Sequence, residues 1–225
     1  MRMPELIVML TQNDYTIANA CEIFEVCKQS DAEFWGMKEK GIDFDQMKQL
    51  FNTIKQCGKK GVLEVVAYTE QEGLRGAQIA AECKCDILLG TRFYDSINLF
   101  CKENNIKYMP FVGDISGRPS VLTGNVEDMV AQATEYVEKG AYGVDLLSYR
   151  YDGDPIYLSE ELVNKTNACV CIAGSINDYE KLEQVINIAP AYFTIGGAFY
   201  ERRFGEDICE QINKVYSFVN NTVKI

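Results

Sequence analysis

The chain has 225 residues, 47 % of them hydrophobic and 24 % charged, which is enough for one sizeable core and gives no compositional sign of disorder. It contains no histidine, which removes imidazole acid–base chemistry, imidazole metal ligation and a Ser-His-Asp triad, so any proton transfer falls to Asp, Glu, Lys, Tyr or Cys. A formal net charge of −11 repels phosphate backbones, and no nucleic-acid partner is expected.

The first four residues run into an apolar stretch too short for a signal peptide, and no apolar run approaches the roughly 18 residues of a membrane span. A cytoplasmic protein without membrane contacts is expected. Short apolar, β-rich runs follow at 5–10, 33–37, 62–68, 87–91, 107–113, 142–149, 168–173 and 192–196. Between and after them lie helical patterns at 15–29, 43–57, 70–83, 94–104, 125–139, 158–166, 177–188 and 205–220. Asn125 and Asn177-Asp178 are start signals, and Gly140 is a stop signal. Eight strands in strict alternation with eight helices predict an α/β fold, a (βα)8 TIM barrel forming a single domain over 1–225.

In such a barrel the site lies at the carboxyl ends of the strands. Two connections there are long: Gly113 to Gly124, which contains Arg118, and Tyr149 to Tyr157, which contains Arg150. Both read as lid or binding loops. The seventh strand ends Ala173-Gly174-Ser175 and the eighth Gly196-Gly197-Ala198. Glycines at these ends let backbone amides approach an anion, so Gly174, Ser175, Gly196 and Gly197 are the predicted phosphate contacts.

Charges inside strands are the catalytic candidates. Glu64 and Asp145 are expected to point into the barrel, because an unpaired carboxylate is costly under the helix layer. Burial would raise their pKa toward the range of a general acid or base. Lys38, Arg92, Asp114 and Arg150 are expected to gather at the mouth, the cations stabilising negative charge and Lys38 able to act as a base if desolvated. Asp152-Gly153-Asp154 allows a Mg²⁺ beside a phosphate, although no cofactor is firmly implied. The nine cysteines, scattered through helical and strand patterns, read as packed core thiols.

On Ala173-Gly174-Ser175 and Gly196-Gly197-Ala198, and in element order over the whole chain, the sequence resembles the ribulose-phosphate-binding barrels. That superfamily includes phosphosugar epimerases, isomerases, decarboxylases and ketodeoxyphosphogluconate aldolase, and the resemblance implies that the matching glycines hold a substrate phosphate. Gly140-Ala141-Tyr142-Gly143-Val144-Asp145 is similar to N-acylmannosamine-6-phosphate epimerases. Glu72-Gly73-Leu74, Asp86-Ile87-Leu88-Leu89-Gly90-Thr91-Arg92 and Ala173-Gly174-Ser175-Ile176 are similar to glycerol-3-phosphate-responsive antiterminators. Three departures matter: the histidines of pentulose-phosphate epimerases are missing, the sixth strand lacks the Schiff-base lysine of the aldolases, and the third lacks the Asp/Lys pattern of the decarboxylases.

The expected activity is therefore proton transfer next to a carbonyl of a small phosphorylated sugar or keto acid, by an epimerase, isomerase or lyase. The alternative is a non-catalytic sugar-phosphate or glycerol-phosphate sensor. A third reading, a homo-oligomer in which the barrel supplies assembly contacts, rests on Tyr151, Tyr157, Phe199 and Tyr200.

Overall fold

Eight apolar runs form the parallel strands β1 Glu5–Met9, β2 Phe34–Lys38, β3 Lys60–Val65, β4 Ile87–Gly90, β5 Lys107–Met109, β6 Gly143–Leu146, β7 Cys169–Ile172 and β8 Tyr192–Ile195, in a computed structural model that describes residues 3–222. Hydrogen bonding runs β6-β7-β8-β1-β2-β3-β4-β5. A bridge between Phe111 and Asp145 spans the remaining seam, where the amides of Tyr142 and Asp145 donate to the carbonyls of Tyr108 and Pro110 at 2.9 Å each. The result is a TIM barrel.

The surrounding helices are α1 Ala20–Cys27, α2 Phe44–Gln56, α3 Glu70–Glu82, α4 Asp95–Glu103, α5 Val126–Glu138, α6 Pro155–Lys165, α7 Tyr179–Ile188, α8 Gly197–Tyr200 and α9 Ile208–Thr222. Local chemistry sets where several begin: Asp43, Thr69, Asn125, Asp154 and Asp178 each accept a first-turn amide at a helix start. Pro155 follows its cap at a position where its missing N–H is not needed, so α6 begins earlier than the predicted residue 158. Among the described residues no helix is long and apolar enough to cross a membrane.

The first helix is shorter than the predicted 15–29. Thr11–Gln12 and Tyr15–Thr16 instead pair antiparallel around Asn13 and Asp14, whose φ values of 50° and 62° make a two-residue hairpin turn. A second hairpin pairs Asp114–Ser116 with Val121–Thr123 after β5, and its Leu122 bridges to Tyr151. The chain after β6 tightens into a 3-10 turn, Ser148–Arg150. Both hairpins stand at the carboxyl ends of the strands.

Inside the barrel, Ile7, Met9, Val62, Ile87, Leu89, Met109, Cys171 and Tyr192 form an apolar plug. Gly36 makes room for it, since a Cβ there would lie 2.3 Å from the Met9 sulfur. A larger cluster fills the space between strands and helices. The charged residues Lys38, Glu64 and Asp145 are therefore set above an apolar floor, each almost fully buried.

Two expectations need correction here. Cys27 and Cys209 form a disulfide that joins α1 to α9, and Cys21 and Cys57 are exposed, so the cysteines are not uniformly packed thiols. With that bond the cysteines no longer argue for a reducing compartment. Among the proposed assembly aromatics, Phe199 is buried and Tyr151 and Tyr200 are half-buried, leaving Tyr157 exposed.

Candidate active site

A cavity of about 280 Å³ occupies the mouth of the barrel. One side is formed by Thr11–Asp14, Lys38 and Glu64, the other by Ala173–Asn177 and Thr194–Ala198, with Pro119, Leu147 and Arg150 around the rim. The size suits a small metabolite rather than a polymer.

Lys38 ends β2 and is pinned by the first hairpin: its amide donates to the Thr16 hydroxyl at 2.9 Å, and that hydroxyl donates to the Lys38 carbonyl at 2.8 Å. The ammonium reaches Glu64 Oε1 at 2.8 Å and Asp14 Oδ1 at 3.2 Å. Burial by itself would lower the lysine pKa, but the facing carboxylates of Glu64 and Asp14 outweigh it and raise the value above the ordinary one. Lys38 is thus a fixed cation. Acting as a desolvated base is contrary to this pairing.

Asp14 joins three connections. Besides Lys38 it accepts from the Ser120 amide at 2.9 Å and from Arg150 Nη1 at 3.1 and 3.3 Å, while its carbonyl accepts from Arg118 at 2.8 Å. Burial pushes its carboxyl pKa up, yet Lys38, Arg150 and the Ser120 amide together bring it down to about 2. Arg118 continues to Glu39 at 2.9 Å and lies 5.2 Å from the ring centre of Tyr15, so the second hairpin is tied across the mouth.

Asp145 is buried within reach of the Glu64 charge and does not line the cavity. Neither of its carboxyl oxygens has a hydrogen-bond partner among the described residues. Burial, then the neighbouring Glu64 charge, pushes its pKa well up, and the pull from Lys38 does not reverse this.

Opposite stands the glycine wall. Gly174 and Ser175 both adopt left-handed φ values, 91° and 62°. A Cβ on Gly174 would come within 3.0 Å of the Arg150 side chain, so this glycine lets Arg150 lie across the turn, where its Nε donates to Ser175 Oγ at 3.3 Å. Gly196 passes still closer to Thr11, where a Cβ would meet the hydroxyl oxygen at 2.7 Å. Glu201 also lines the cavity and is paired with Arg203 at 3.1 Å.

Of the predicted site residues, Lys38, Glu64, Arg150, Gly174, Ser175, Gly196 and Gly197 line one cavity. Arg92 and Asp114 do not. Gly90 and Thr91 both have positive φ and turn the chain outward after β4, leaving Arg92 exposed beside the Tyr68 ring. Asp114 opens the second hairpin and faces solvent. Asp154 spends its carboxylate on the Ile156 and Tyr157 amides, and among the described residues no group of three or more Cys, Asp or Glu could hold a metal ion. Asp14 was missed, although Asn13-Asp14 between Thr11-Gln12 and Tyr15-Thr16 is a hairpin signal.

The TIM-barrel fold is shared with several solved enzymes and a regulator. Orotidine 5'-phosphate decarboxylase from Pyrococcus horikoshii OT3 superposes with a TM-score of 0.69 at 12 % identity, over 96 % of this chain and 99 % of that one. N-acetylmannosamine-6-phosphate 2-epimerase from Clostridium perfringens gives 0.64 at 13 % identity, covering 86 % of each chain. The glycerol uptake operon antiterminator regulatory protein from Listeria monocytogenes gives 0.59 at 15 % identity, over 86 % of this chain and 91 % of that one. No protein-family profile matches the sequence, and no curated protein matches it. At these identities the likeness establishes the fold and leaves the activity to the site.

Proposed function

We propose that the protein is an enzyme acting on a small phosphorylated sugar or keto acid by proton transfer next to a carbonyl, as an epimerase, isomerase or lyase. The carrying observation is that a buried carboxylate–ammonium pair, Glu64 and Lys38, shares one small cavity with the glycine turns after β7 and β8. Phosphate at Gly174, Ser175, Gly196 and Gly197, beside Arg150, would leave the carbonyl end of a short substrate facing Lys38 and Glu64. The Lys38 ammonium would stabilise the developing enediolate oxygen, with Glu64 taking and returning the proton. Asp145, buried near Glu64 without lining the cavity, acts through Glu64 and is a positioning residue. Structural neighbours that carry out epimerisation and decarboxylation of phosphorylated substrates support the class.

The antiterminator neighbour keeps the sensor reading in view, and the two differ in outcome. Thermal-shift screening of phosphosugars in D2O, followed by NMR of each stabilising compound, is expected to show deuterium entering the carbon next to the carbonyl. Glu64→Gln should slow that exchange by about 10²–10⁴-fold while phosphate-ester binding persists. A bound phosphosugar that returns chemically unchanged and unlabelled would overturn the enzyme reading in favour of the sensor.

A further inference from the structure

The turn after β7 carries a donor that the phosphate contacts named so far do not include. Asn177 lines the cavity, and Lys181, one turn into α7, reaches back to it. The Lys181 ammonium donates to Asn177 Oδ1 at 2.8 Å and to the Ser175 carbonyl at 3.0 Å. An ammonium has donors only, so the carboxamide must turn its oxygen to Lys181 and its NH2 away. The start of α7 is already occupied, because Asp178 accepts the Lys181 amide at 2.8 Å. Asn177 is therefore not used as the helix cap that its sequence position suggests.

The same lysine bears on Ser175. This residue holds a left-handed φ of 62°, uncommon for a side-chain-bearing residue, and it is gripped from two sides: Lys181 on its carbonyl and Arg150 on its hydroxyl. With the carbonyl drawn to Lys181, the Gly174 and Ser175 amides make no hydrogen bond to protein among the described residues.

We propose that Asn177 is a ligand-contacting residue, donating through Nδ2 to an oxygen of the anion held at Gly174 and Ser175, and that Lys181 is the positioning residue that aims this donor. The inference rests on the phosphate reading above and adds its selectivity. Two amides, a carboxamide and the Arg150 guanidinium border the same turn, a set of donors that suits a tetrahedral oxyanion, a phosphate monoester, better than a planar carboxylate.

The probe is inorganic phosphate, with acetate as the planar control, titrated into the full chain while the Asn side-chain NH2 signals are followed by ¹⁵N NMR. Phosphate is expected to shift the Asn177 NH2 pair in the wild type, and acetate is not. Asn177→Asp should weaken phosphate binding by at least about tenfold, because a carboxylate replaces the donor. Lys181→Met should weaken binding and abolish the shift, and Lys181→Arg should restore both, a rescue that a purely structural role for Lys181 in α7 would not require. Wild-type phosphate binding that leaves Asn177 unshifted, or that survives both Asn177→Asp and Lys181→Met, overturns the inference alone. A wild type that binds no phosphate overturns the phosphate reading together with it.

Discussion

Replacing Asp145 with Asn is expected to cut turnover by on the order of a hundredfold and yet give a protein more stable than the wild type at neutral pH. The carboxyl is buried, its oxygens have no hydrogen-bond partner among the described residues, and Glu64 stands nearby, so folding shifts the group toward the protonated acid. Its folded pKa is raised, which fixes the sign: the unfolded chain releases the proton first, and stability falls as pH rises above the ordinary carboxyl range. Each pH unit in that window costs the wild type up to about 1.4 kcal/mol. An amide has the shape of the neutral acid and no proton to lose. Melting curves from pH 4 to pH 9 should therefore converge at the acid end and separate by several degrees at the alkaline end, with the variant above. Parallel curves would show that Asp145 ionises as freely in the folded state as in the unfolded one. The other charges facing it are Lys38 and Glu64, while Cys171 is its register partner on β7, and the same scan on Glu64→Gln separates their contribution.

Asp14→Ala is expected to act in the opposite direction. This carboxylate is bonded to Lys38, to Arg150 and to the Ser120 amide, so its removal takes one of two carboxylate partners from the buried Lys38, leaves Arg150 without its carboxylate and frees the Ser120 amide of the second hairpin. Breaking a buried pair costs roughly 3–5 kcal/mol; Lys38 keeps Glu64 and the quarter-exposed Arg150 can hydrate, so the low end, about 3 kcal/mol, is expected. For a chain of this size that corresponds to a melting temperature lower by roughly 6–12 °C. The pH dependence also reverses. Because the folded pKa is lowered to about 2, the wild type keeps this stabilisation above the ordinary carboxyl value and loses it as pH falls toward 2. Calorimetry at pH 7 and pH 2.5 tests both parts: a variant as stable as the wild type at pH 7, or a gap that does not narrow at pH 2.5, would remove Asp14 from its place as the hub of the mouth.

What was legible in the sequence was what is local. The apolar runs of the eight strands, the glycines that end β7 and β8 and the inward side chains of Glu64 and Asp145 all follow from period, turn chemistry and the cost of burying charge. The place of Asp14 did not, because its partners lie 24, 106 and 136 residues away along the chain, and barrel closure alone brings them together. Arg92 misled for a related reason. Its position at a strand end implied a place in the mouth, but the positive φ values of Gly90 and Thr91 turn the chain before the side chain can enter. Asn177 was read as part of a helix start, and its other use is visible once Lys181 is seen to hold its oxygen.

The disulfide between Cys27 and Cys209 changes what it means to cut this chain. It joins the first helix of the barrel to the last, so residues 27–209 form a covalent circle around a circular fold. A protease that nicks the hairpin at 114–123 opens that circle without releasing either half. The nicked protein should migrate as one species on a denaturing gel and separate into two after reduction, so the mouth of the barrel can be severed while both walls of the cavity stay on one molecule.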